Sequence, residues 1–153
     1  MKAVWIFLMA AMLSGMALAN DCPDFRLNGA ERSLSSEELF TKRSFNVQAG
    51  GPNRLSQCNS VPGIGYLTTA PDLTLTYNAS NRNRMLSFKL VGSNGCDTAL
   101  LINDAGGQWH YDDDTSGLDP VIKLNQAPSG VYDIWFVNIA SGLCNAVLEI
   151  ETF

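Results

Sequence analysis

Residues 96–124, CDTALLINDAGGQWHYDDDTSGLDPVIKL, decide the reading of the fold. Residues 98–103 form an apolar run rich in leucine and isoleucine, as a strand requires. Gly106-Gly107 supplies a hairpin turn into a second run at 108–111. Asp112, Asp113 and Asp114 then crowd into one acidic turn, and a third run follows at 121–124. The stretch reads as short strands divided by acidic, glycine-marked turns.

Working outward, the same pattern continues on both sides. Leu73, Leu75 and Tyr77 alternate with Thr74 and Thr76, the signature of a half-buried strand. Residues 85–91 follow a polar turn and place Leu86, Phe88 and Leu90 on one face. Residues 131–138 give the strongest strand. Tyr132, Ile134 and Phe136 lie on its core face, and Val131, Asp133, Trp135 and Val137 on the other. Residues 146–152 close the chain with Leu148 and Ile150 inward, and residues 44–48 add Phe45 and Val47 nearer the start. Strands every 8–12 residues with turn chemistry between them, and no long helical period, predict an all-β antiparallel sandwich.

The first residues read as an address rather than as structure. Lys2, an apolar run and the small-residue site Ala17-Leu18-Ala19 are the three parts of a secretory signal peptide. Cleavage after Ala19 would leave one domain, residues 20–153, secreted or periplasmic. Residues 20–43 are polar and read as an irregular extension, in which Ser35 and Glu38 have the spacing of a capping box for one helical turn through Phe40. The whole chain carries a formal charge of −5. An acidic surface repels phosphate backbones and anionic lipid, so nucleic acid and membrane surfaces are poor partners. No later segment is apolar and long enough to insert in a membrane after signal cleavage.

Cys22, Cys58, Cys96 and Cys144 are the four cysteines, an even count that in an exported chain favours disulfides over zinc. Four cysteines allow three pairings. The unnested one, Cys22–Cys58 with Cys96–Cys144, staples each half of the chain separately and is preferred. A bridge between Cys96 and Cys144 would contribute roughly 3–4 kcal/mol in the chain-entropy account.

Five short motifs follow one another in order. They are Asp97-Thr98-x-Leu100-x-Ile102, Asp104-x-x-Gly107, Asp112-Asp113-Asp114, Pro120-x-Ile122 and Gly130-x-Tyr132-x-Ile134. Over residues 71–152 this order resembles the bacterial pre-peptidase C-terminal domain, a β-sandwich commonly appended to exported peptidases. The resemblance implies a jelly-roll-like sandwich without catalysis of its own. It also implies kinship with the collagen-binding modules of secreted collagenases, some of which bind calcium. The four cysteines and the residues ahead of Pro71 are not part of that pattern.

The candidate sites follow from chemistry. Adjacent aspartates repel one another, and Ca2+, a hard cation with oxygen ligands, would relieve that repulsion. Alternation along the turn would let Asp112 and Asp114 converge, with Asp97, Asp104 or Asp119 completing the shell. The competing reading is that these carboxylates bind backbone amides of their own turns. His110 is the only histidine, and no G-x-S-x-G motif accompanies it, so catalysis is not expected. Among the aromatics Tyr66, Tyr77, Tyr111, Tyr132, Trp109 and Trp135, the register of residues 131–138 leaves Trp135, with Trp109, as the exposed pair for a binding face. The expectation is a non-catalytic binding or accessory module for a protein, peptide or glycan. A structural envelope or inhibitor-like protein is the alternative, and a metal-assisted hydrolase comes last.

Overall fold

A computed structural model describes residues 21–153. The signal-peptide reading falls on residues 1–19 and lies outside the described residues.

Among the described residues eleven strands and two short 3-10 turns make two sheets packed face to face. Strand β1 is Ala30–Ser35, β2 Arg43–Ala49, β3 Asn53–Arg54, β4 Tyr66–Leu67, β5 Leu73–Asn78 and β6 Leu86–Gly92. Strand β7 is Thr98–Asn103, β8 Trp109–Asp112, β9 Val121–Leu124, β10 Gly130–Asn138 and β11 Cys144–Thr152. In the larger sheet β10 is central, with β7 and β8 on one side and β5 then β1 on the other. The smaller sheet runs β2-β11-β6-β9. The sandwich read from alternation is the architecture observed, and the strands of residues 98–103 and 121–124 have the expected bounds.

The alternation also names the core. Leu86, Phe88, Leu90, Leu148 and Ile150 from the smaller sheet meet Leu75, Leu100, Ile102, Tyr132, Ile134 and Phe136 from the larger one. Each such side chain contributes roughly 1.5–3 kcal/mol through removal from water. Tyr132 stands edge-on to Tyr77 at 6.0 Å between ring centroids and donates its hydroxyl to the Pro128 carbonyl.

Three features depart from the sequence reading. Residues 20–43 are not irregular throughout, because Ala30–Ser35 forms β1 and pairs with β5. That pairing is parallel, the exception in an otherwise antiparallel fold. Ser35 and Glu38 do form the capping box, with reciprocal bonds of 2.8 and 3.2 Å, over the turn Glu38–Phe40.

The third departure concerns Trp135, which is fully buried and not the exposed residue expected. The far face of the larger sheet is covered by a second layer, so β10 is enclosed on both sides. Leu55, Cys58 and Leu67 pack there on Ala99, Leu101, Trp135 and Val137. The Cys22–Cys58 bridge ties the layer down, and Trp135 Nε1 donates to the Thr69 carbonyl at 3.3 Å. Gly63, at φ +106°, lies against the Tyr111 ring where a Cβ would have no room. The second bridge joins Cys96 to Cys144 with Cα atoms 6.3 Å apart, so both preferred pairings are observed.

Candidate functional site

The opposite margin of the sandwich stays open. On the inner face of β1 the chain offers Ala30, Arg32 and Leu34, too little apolar bulk to seal the gap to β2. Arg32 is an exposed charge at the mouth of the gap on this edge strand. A groove of about 380 Å3 results, walled by Phe45, Val47, Leu73, Phe136, Leu148 and Ile150. It adjoins a broader hollow of about 660 Å3 in which Asn46, Gln48, Ser93 and Asn145 add neutral polar groups. Beyond the hollow, a third depression reaches Asn94, Leu143 and the Cys96–Cys144 bridge.

Asp72 belongs to both the groove and the hollow. Its position follows from a seam in the larger sheet. On that side β10 pairs with β5 as far as Ile134 and with β4 only at Asn138. Between them the Phe136 carbonyl accepts from Gly50 N at 2.8 Å, and Phe136 N donates to Asp72 Oδ2 at 2.7 Å. The carboxylate thus stands in for the missing strand. Its other oxygen, Oδ1, has only the Thr68 hydroxyl at 3.5 Å, and that hydroxyl also lies 2.8 Å from the Ala70 carbonyl. Oδ1 is therefore an underused acceptor in an apolar groove. No cationic side chain of the described residues pairs with it.

Burial pushes the Asp72 carboxyl up to about 7, although the bonds from Phe136 N and Thr68 oppose the rise. In an unfolded chain it titrates near 3.8. Below about pH 4 it is protonated in both states and costs nothing. Between there and about pH 7 only the unfolded form ionises, so stability falls as pH rises, and above it the full cost is present. Three pH units amount to about 4 kcal/mol, and the groove's access to water reduces that to about 2 kcal/mol. Asp72→Asn keeps an acceptor for Phe136 N and should remove this decline. Melting temperatures of both proteins from pH 4 to pH 8 would show it, and parallel curves would refute it.

The acidic turn is built differently from the expected calcium shell. Asp112 accepts from Thr115 N, Thr115 Oγ1 and Val121 N, the last at 2.6 Å, so its oxygens close its own turn. Asp97 is grouped electrostatically with Asp114 and Asp113; burial first, then those two charges, raise its carboxyl above the usual range. Asp113 is also within reach of the Tyr111 hydroxyl at 3.3 Å. Asp119 accepts from Gly92 N, and Asp104 from Gly106 N and Gln108 N. Among the described residues no three acidic, histidine or cysteine side chains are arranged to hold a metal ion. Hydrogen bonds within its own turn account for Asp112, while Asp97 Oδ1 is buried without a hydrogen-bond partner.

His110 Nε2 lies 2.7 Å from Asp104 Oδ2. The pair closes the β7–β8 hairpin, and the same contact helps hold Asp104 below the usual range against its partial burial. Trp109 is half-buried, between Trp135 at 5.4 Å and the exposed Phe25 at 6.2 Å. The expected aromatic pair therefore lies on the covered face of the larger sheet, with Trp109 half-buried at its margin and Phe25 exposed beside it.

Asp72 was not among the sequence candidates. Alternation with Thr74 and Thr76 assigns it to the outer face. The backbone N–H that draws it to the seam belongs to a residue 64 positions away. A single acidic residue between Pro71 and an apolar strand was the one local signal.

The fold and the bridges define a disulfide-stapled β-sandwich of the kind found in oxidising compartments. No family model matches the sequence, and no curated protein matches it. Among solved structures the chain is similar to the pre-peptidase C-terminal domain of a collagenase from Bacillus anthracis. The two share 11% identity at a TM-score of 0.45, over 82% of this chain and 96% of that one. It is the kind of domain that the ordered motifs resemble. No helix among the described residues is long and apolar enough to cross a membrane.

Proposed function

We propose that this protein is an exported, non-catalytic binding module that takes an extended peptide segment into the groove between β1 and β2. The observation that carries the reading is the pairing of an apolar groove with two free strand edges at its mouth. Each of β1 and β2 has one strand neighbour, so each leaves a row of backbone donors and acceptors unpaired. An extended peptide satisfies such a row while alternate side chains drop into the pocket beside it. The apolar walls supply affinity, and the amides of Asn46, Gln48 and Asn145 supply polar partners around the rim. Export agrees with the two disulfides and with the N-terminal signal pattern.

Hydrogen exchange of the oxidised protein tests the reading with an acetylated peptide of alternating valine and norleucine as probe. Excess peptide should slow amide exchange along β1 and β2 and leave β8 and β9 unchanged. Binding without protection of β1 and β2 would place the site elsewhere, and absence of binding would refute the peptide reading.

A further inference from the structure

We propose that the groove selects a lysine side chain, whose aliphatic stem lies along the apolar walls and whose ammonium meets Asp72. The inference rests on the peptide reading above and specifies its ligand. A lone carboxyl at the floor of an apolar slot is complementary to a long hydrocarbon chain with one positive end. Phe45, Val47, Leu73 and Phe136 provide the hydrocarbon contact. Phe136 N already occupies Asp72 Oδ2, while Oδ1 has only the long contact from the Thr68 hydroxyl at 3.5 Å and is the less used acceptor. One acceptor suits an ammonium, a compact point donor. It does not suit a guanidinium, whose planar fork needs both carboxylate oxygens.

Charge complementarity points the same way. The chain as a whole is acidic at −5, which draws cations toward it. Apart from Asp72, Arg32 is the one charged side chain lining the groove and hollow. It sits at the exposed mouth on β1 and donates to the Glu31 carbonyl at 2.9 Å, so it leaves Asp72 unpaired. From β2 the groove receives Ser44, Phe45, Asn46 and Val47, and from β11 Leu148 and Ile150, none of which titrates. A bound ammonium favours the ionised carboxyl, so binding should release a proton wherever the free protein holds Asp72 protonated. Because that carboxyl sits at about 7, affinity should rise as pH climbs toward 7 and level off above it.

The test compares the valine–norleucine peptide with the same peptide carrying lysine at one norleucine position, by calorimetry on the oxidised protein. At pH 8 the lysine peptide should bind about tenfold tighter than its norleucine counterpart. Its affinity should drop about tenfold between pH 8 and pH 6, while that of the norleucine peptide stays level. Asp72→Asn should abolish the lysine preference, so that the ratio of the two peptides' affinities falls to about one. Titrations of the unaltered protein near pH 6, in two buffers of different ionisation heat, should show a proton released with lysine and none with norleucine. This arm needs no variant to fold. Equal affinity for the two peptides, or a lysine preference that survives in Asp72→Asn, overturns the inference and leaves the peptide module standing. Failure of both peptides to bind overturns the two readings together.

Discussion

Replacing Trp135 with alanine is expected to destabilise the oxidised protein by about 4 kcal/mol, the range for removing a large aromatic from a closed core. The side chain is fully buried, touches the Trp109 ring and shares the Thr69 carbonyl with Asp24 N, so its loss leaves a large cavity and removes one of that carbonyl's two hydrogen bonds. A surface tryptophan of a binding face would change stability by no more than about 0.5 kcal/mol. Urea unfolding followed by circular dichroism separates these outcomes. A variant as stable as the parent would mean that the covering layer does not pack on β10.

Removing the bridge beneath that layer is the second large effect. Cys22→Ser combined with Cys58→Ser opens a loop whose ends are 36 residues apart, worth about 4 kcal/mol in the chain-entropy account. For a domain of this size that corresponds to a melting temperature lower by about 15 °C. The bridge also pins Leu55 and the 58–67 loop over Trp135, so the variant should expose indole rings. In a chain starting at Asn20 only Trp109 and Trp135 remain of the three tryptophans, and their emission should move to the red. An unchanged melting temperature and emission would show that packing alone holds the layer in place.

Much of the sandwich was legible because strand alternation is a local signal. Leu86, Phe88 and Leu90 declared an inward face two residues at a time, and all three are fully buried, with Ser87 of the other face buried beside them. The turn at Gly106-Gly107 likewise fixes its own hairpin, whose first bond runs from Asp104 N to the Gln108 carbonyl. What alternation cannot state is whether the second face of a strand meets water or protein. Tyr132, Ile134 and Phe136 were read correctly as core. Their neighbour Trp135 was misassigned because its cover comes from Leu55, Cys58 and Leu67, far away in the chain and held there by a bridge.

Strand β1 was missed for a related reason. Ala-Glu-Arg-Ser-Leu-Ser contains one large apolar residue and no β-branched one, so its strand state comes from pairing with β5 rather than from propensity. The groove shares that origin, since it exists only where β1 and β2 fail to close. On the acidic turn the sequence left two descriptions open. For Asp112 the local one applies: Thr115 N–H and Val121 N–H take up its charge.

The two bridges also determine how the molecule answers a pull on its ends. Tension entering at Asp21 would pass through Cys22 to Cys58 without loading the residues between them, which include β1 and β2. The second bridge removes residues 97–143 from the load path in the same way, and with them β7 through β10. Only residues 59–95 and the tail beyond Cys144 can be drawn out while the sulfurs stay joined. Both rims of the groove lie within the first closed ring, but their partners do not. Strand β5, which holds β1, lies in the extensible residues 59–95, and β11, which holds β2 and supplies Leu148 and Ile150, is the free tail. A stretched molecule would therefore lose the groove as soon as its C-terminal strand peeled away.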